Sequence, residues 1–317
     1  MKIGRVFALI FILVTSCWGT VISLTSPSNN GYWQTSILPD PVNHPMDFLD
    51  DEQTGQPESD IVGNAANPGI LLYFDRGTAG SNTDGTVYIR VRLGSDKPTL
   101  GDKEFNALFF TGVDKNGDGA LDFFVGVKNN TGNAKSNGIG LWLSESSTPG
   151  DNVSPSTTTI SGTPSWFCGF DNAACQDRFN FSLVTAVDNP VNNSNVDADD
   201  SIDFFLSFSL PLDQIANFTN ITDQASLSFV FGTSTQDNAF NQDLAGIKGL
   251  PQGGCKQNPA FCPDTPWTVL GVTTSPKKLD DFGGPSGAAP EPSTLLLVGL
   301  GVVAVATTRK HWRNLNE

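Results

Sequence analysis

Three features of the sequence predict an all-β fold, an antiparallel β-sandwich of about nine strands. Short β-branched and aromatic runs recur between Gly, Asn, Asp and Pro; no long segment keeps a helical apolar period; and the clearest run alternates strictly. That run is Thr86 to Leu93, where Val87, Ile89, Val91 and Leu93 interleave with Thr86, Tyr88, Arg90 and Arg92, the pattern of a half-buried strand. The others are Ile70–Phe74, Phe105–Thr111, Leu121–Val127, Gly138–Leu143, Asn180–Val187, Ile202–Ser209, Ser226–Gly232 and Trp267–Val272. Ile202, Phe204, Leu206 and Phe208 supply one inner face. Only Leu212–Phe218, behind Pro211, reads as a short helix.

Around this body, predicted to span 61–274, the chain divides by composition. Residues 1–23 form a signal peptide, with Lys2 and Arg5 ahead of the apolar run Val6–Val14. Residues 24–60, rich in Pro, Asn, Ser and Asp, form a loosely ordered lead-in with an edge strand near Tyr32–Ile37. A Gly/Pro/Ser linker follows at 275–289, and 290–317 form an apolar helix with a basic end. Ser293 to Thr308 would span roughly 24 Å as a helix, against about 30 Å of bilayer hydrocarbon. Such a segment is a weak permanent anchor, with its cations on the cytoplasmic side and the body outside.

The tail carries a specific order of parts: Pro290-Glu291-Pro292, then Ser293-Thr294, then Leu295–Ala306, then Arg309, Lys310, His311, Trp312 and Arg313. This order resembles the PEP-CTERM sorting domain, the C-terminal signal of bacterial proteins processed by exosortases. The resemblance covers under a tenth of the chain. It implies export across the inner membrane, cleavage near the triplet by an exosortase, and delivery to the cell surface or extracellular matrix, where exopolysaccharide is the nearest ligand. Pro290, Glu291, Pro292, Arg309, Lys310 and Arg313 are its signal residues. Asn314–Glu317 follow the basic cluster, a departure from the pattern, and the cluster is no dense Arg run. Val14-Thr15-Ser16-Cys17 similarly resembles a lipobox, which makes Cys17 a candidate lipid attachment site unless it is discarded with the signal peptide.

Charge and cysteines suit an extracellular protein. The chain has 18 Lys+Arg and 33 Asp+Glu; without Lys2, Arg5, Arg309, Lys310, Arg313 and Glu317 the balance is 13 against 32. That excess opposes nucleic acid or an anionic membrane as a partner of the body and favours cations. Cys168 with Cys175 and Cys255 with Cys262 share one spacing, which suggests two local disulfides, although four cysteines allow three pairings.

One internal echo carries chemistry. Asp114, Asn116, Asp118 and Asp122 stand at relative positions 1, 3, 5 and 9 of a loop, and Asn195, Asp197, Asp199 and Asp203 repeat that spacing, each copy running into Phe-Phe. Alternate oxygen side chains in a tight turn are the first part of a calcium loop, so calcium is the expected cofactor. Position 12 is Val125 in one copy and Leu206 in the other, where an EF-hand has Glu, and the second copy has Asp200 where Gly is wanted. The competing reading is two ordinary turns that bond their own main chain, with Asp122 and Asp203 on the solvent face. Triad and zinc-histidine chemistry lack parts, since His44, in the Pro-rich lead-in, is the sole histidine of the predicted mature chain, so no enzyme is expected. The expected function is a structural matrix protein that reaches the surface through the Sec and exosortase machinery. The alternative is a polysaccharide-binding or adhesin module that uses Trp142 or Trp166, each of which can equally be core.

Overall fold

Nine runs of four to nine residues become strands in the computed structural model, and three two-residue pairings complete a set of twelve among the described residues. The structure describes residues 23–25, 33–35, 56–64, 66–77, 83–95, 105–130, 136–145, 150–185, 196, 202–236, 240–246 and 264–283. All of these fall in one compact unit, Val21–Gly284. Residues 1–22 of the signal segment and the whole tail lie outside the described residues, as do Cys17, Cys255 and Cys262. Among the described residues no helix is long and apolar enough to cross a membrane.

The strands form two antiparallel sheets. The first contains β1 (Gln34–Thr35), β2 (Ile70–Asp75), β3 (Thr86–Leu93), β8 (Phe179–Leu183) and β9 (Phe204–Pro211), in the order β1-β2-β3-β9-β8. The second contains β4 (Leu108–Asp114), β5 (Phe123–Lys128), β6 (Gly138–Leu143), β7 (Trp166–Gly169), β10 (Ser226–Ser234) and β11 (Asp243–Leu244), in the order β11-β10-β4-β5-β6-β7; β12 (Lys277–Lys278) pairs with the start of β10. Alternate residues of both sheets meet in one core, including Leu72, Ile89 and Phe208 from the first and Phe109, Val125 and Phe231 from the second. Phe109 and Phe208 touch edge to face across it, with centroids 5.9 Å apart.

The sheets differ from a half-buried pattern because their outer faces are covered as well. On the first sheet Leu24 and Trp33 pack over Leu71, Tyr73 and Tyr88. Both arginines of β3, expected on the solvent side, are therefore 2 % exposed. Arg90 lies under the Trp33 ring (4.3 Å) and beside Phe205 (4.9 Å), and it donates to Ser207 Oγ (2.8 Å) and to the Leu24 carbonyl. Arg92 pairs with Asp203, which is fully buried. On the second sheet Leu108, Phe110, Phe124, Trp142 and Val230 form a separate cluster with Ile160, Phe240, Trp267 and Leu270.

Several expected boundaries shift for the same reason. Described parts of the 24–60 lead-in are docked: β1 is an edge strand on β2, and Pro57–Ser59 forms a 3-10 turn whose Glu58 and Ser59 are buried. The 275–289 linker begins later than its composition indicates, since β12 pairs with β10 and the 3-10 turn Leu279–Phe282 sends Leu279 and Phe282 into the main core. Trp267–Val272 is not a strand; Trp267–Leu270 is one helical turn, started behind Pro266 and stopped by Gly271 at φ 75°. A second short helix, α1 (Ala173–Gln176), joins the expected one, α2 (Leu212–Thr219). The strand Trp166–Gly169 has no counterpart in the alternation pattern.

Buried charge makes Arg92 the sharpest probe of this fold. Arg92→Ala leaves Asp203 desolvated without its cation and is expected to cost about 3–5 kcal/mol, read as a lower denaturation midpoint. The double change Arg92→Met with Asp203→Leu, which removes both charges, is expected to recover more than half of that loss.

Candidate functional site

The acidic loop between β4 and β5 is held together by its own main chain. Asp114, at the end of β4, is buried, and its Oδ1 accepts the amides of Asn116 (3.1 Å) and Gly117 (2.7 Å) while Oδ2 accepts that of Gly119 (2.9 Å). Asn116 Oδ1 takes the Asp118 amide, Asp118 Oδ1 takes the Ala120 amide, and Asn116 Nδ2 donates to Asp118 Oδ2. Gly117 (φ 77°) and Gly119 (φ 86°) supply the left-handed backbone that turns these amides inward. Asp122 closes the loop by accepting the Lys115 amide at 2.8 Å.

The four oxygen side chains expected to converge on calcium are thus turned onto amides. Among the described residues no group of three or more His, Cys, Asp or Glu side chains is arranged to hold a metal ion. A calcium ion takes about six to eight oxygens at about 2.3–2.6 Å, and in this loop the side-chain oxygens serve as acceptors for main-chain amides.

Position 9 of the echo has the same role in both copies. Val196 donates its amide to Asp203, seven residues on, just as Lys115 does to Asp122. Asn195, Asp197 and Asp199 lie outside the described residues. Asp203 is neither a solvent-face residue nor free to leave for a metal, because its carboxylate is the counter-ion of buried Arg92. Asp122 is half-buried, and burial pushes its carboxyl above the usual range. The Lys115 amide and ammonium oppose that shift, and Asp114 and Asp118 add to it.

The aromatic residues expected to meet sugar are packed. Trp142 is buried, edge-on to Phe110 at 5.3 Å, and Trp166 is half-buried against the main core. The cavity that Trp142 lines with Phe110 and Phe167 holds about 220 Å³ and is mostly apolar, below the roughly 300–1,000 Å³ of ligand pockets. A larger polar cleft, about 640 Å³, opens on the outer face of the first sheet, where Asp75, Tyr88, Arg178, Asn180 and Ser209 face Ser23–Thr25. Its parts come from five separated segments and leave no local signature. Beside it the disulfide Cys168–Cys175 ties β7 to α1 (Cα–Cα 5.6 Å), the local pairing that the spacing suggested.

The decisive functional feature lies beyond the body. Residues 288–310 match the family model of the PEP-CTERM protein-sorting motif. The tail is a PEP-CTERM sorting signal. It marks the chain as an exported protein that passes in association with the membrane toward the cell surface and is processed by an exosortase on the way. No curated protein and no solved structure shows significant similarity to this chain.

The acidic loop separates two carboxylates by role. Asp114→Ala strips an acceptor from three amides and is expected to cost on the order of 3 kcal/mol. Asp122→Asn keeps an acceptor for Lys115 and removes a carboxylate whose pKa is raised. A raised pKa means that the ionised form is disfavoured in the folded protein, so the penalty grows as pH rises through that value. The Asn variant is therefore expected to match or exceed the wild-type Tm at pH 7 and to lose that advantage below about pH 4.

Proposed function

We propose that the body is a non-catalytic structural component of the cell surface or extracellular matrix, a β-sandwich delivered there by its PEP-CTERM tail. The observation that carries this reading is the sorting motif at 288–310, joined to an acidic, disulfide-tied body whose two sheets are covered on their outer faces. In this proposal residues 1–23 direct export through Sec and are removed, with Cys17 lost unless it is acylated, and the tail spans the membrane until it is cut. Mass spectrometry of the mature protein is expected to find a C-terminus near Pro290–Pro292; a mature chain that retains 293–317 overturns the reading.

A polysaccharide-binding or adhesin role is the second reading, and the polar cleft favours it. Hydroxyl, amide, carboxylate and guanidinium groups in about 640 Å³ suit a hydrated, many-hydroxyl ligand such as exopolysaccharide. Saturable binding to the producer's own polysaccharide that falls at least tenfold in Arg178→Ala with Asn180→Ala supports this role. Retention in the washed matrix without such binding supports the structural one.

Calcium enters the proposal only at the loop Asp114–Asp122, where a hard cation would have to draw Asp114 and Asp118 away from their amides. A Tm that falls on chelation, and no longer does so in Asp118→Ala, is the corresponding signature.

A further inference from the structure

Both ends of the described body leave it at one place, the turn between β2 and β3. At the N-terminal side, Leu24 and Thr25, the first residues after the signal segment, line a cleft together with Asp75, Thr86 and Tyr88. At the C-terminal side, Gly283 pairs in parallel with Phe74, the residue before Asp75. The last segment is fastened there in four ways. β12 pairs with β10; Leu279 and Phe282 are core residues; the Asp280 amide donates to the Asp223 carbonyl (3.2 Å); and Arg76 binds both the carboxylate and the main-chain carbonyl of Asp280. The Arg76 hydrogen bond holds the Asp280 carboxyl below its usual range. A depressed pKa contributes stability above the unfolded value near 3.8 that is lost only as pH falls through the folded value, so this contact is intact at neutral pH.

Only six residues, 284–289, separate this fastening from the Pro290 triplet. A fully extended chain from Gly283 to Pro290 reaches at most about 25 Å. Arg76, Lys277 and Lys278 stand here among Asp75, Asp84, Asp223, Asp280 and Asp281, three cations to five acids, a smaller acidic excess than the 13 to 32 of the chain without its charged ends.

We infer that the body faces the exported side of the bilayer with this pole, and that it is held against the membrane surface by a tether too short to release it until the tail is cut. The inference rests on the membrane-transit reading of the tail. The fold thereby sets how far the cleavage region stands from the body: release of Lys277–Gly283 would double the tether or more.

The test uses the full precursor in washed membranes of cells that lack the processing enzyme. A soluble broad-specificity protease is expected to cut 284–289 at least tenfold more slowly in the wild type than in Arg76→Ala with Asp280→Ala. An insertion of twelve Gly/Ser residues after Gly284, which leaves the fold untouched, is expected to speed cutting equally. A lipid-directed photo-crosslinker at position 278 is expected to capture lipid, and one at position 128 is not. Lys128 lies at the opposite end of the second sheet, since it pairs with Leu108, which pairs with Ser234, whereas Lys278 pairs with Ser226. Precursor that alkaline carbonate strips from the membrane overturns the transit reading itself. Precursor that stays bound yet is cut as fast as the insertion variant, or that crosslinks from 128 and not from 278, overturns only the pole.

Discussion

Two arginines inside a sheet set the terms for the rest of this structure. Arg90 and Arg92 stand on β3, the central strand of the first sheet, and point away from the main core. A guanidinium out of water needs partners for its donors and a surface for its flat faces. Arg92 finds Asp203 at the start of β9, and Arg90 finds Ser207 on the same strand, the Phe205 ring between them, and Trp33 with the Leu24 carbonyl from above. Recruiting Leu24 and Trp33 is what turns a composition that looks unstructured into a cover for the sheet. The N-terminal stretch is thereby built into the body from its first described residues.

The same economy of oxygen acceptors explains the repeated acidic motif. In both copies an Asp reaches seven residues back to an amide at the loop's opening, which fixes the loop where the next strand begins. Phe123 then enters the main core and Phe204 stacks on Phe181 at its margin, while Phe124 and Phe205 join the outer faces. Spacing that suits a metal loop also suits this use, because both tasks ask alternate side chains to converge on a tight turn. The neighbours that Asp meets differ between the copies: nearby amides in the first, and an arginine from another strand in the second.

Local order was legible and long-range order was not. Thr86–Leu93 and Gly138–Leu143 match their strands end to end because turn residues bracket them. The doublets Phe109-Phe110, Phe123-Phe124 and Phe204-Phe205 put an aromatic on each side of a strand, and they are the one sequence signal that both faces would be buried. Alternation alone could not say what lies over Arg90 and Arg92, since Asp203 is 111 residues from Arg92 and Leu24 is 66 from Arg90. Trp267 read as strand from side-chain type, yet Pro266 and Gly271 bracket a single helical turn. The sorting tail was readable because it is a linear signal whose order of residues is its content. The polar cleft was not, because it exists only once distant segments meet.

The ends of the sheets carry a last implication. One border of each sheet is a two-residue strand, β1 or β11, and the others are β8, five residues long, and β7, four residues long and anchored by Cys168. Strands this brief expose few unpaired main-chain groups to a neighbouring molecule. Copies crowded together outside a cell would then resist fusing into continuous sheets, and any cohesion among them has to come from side chains.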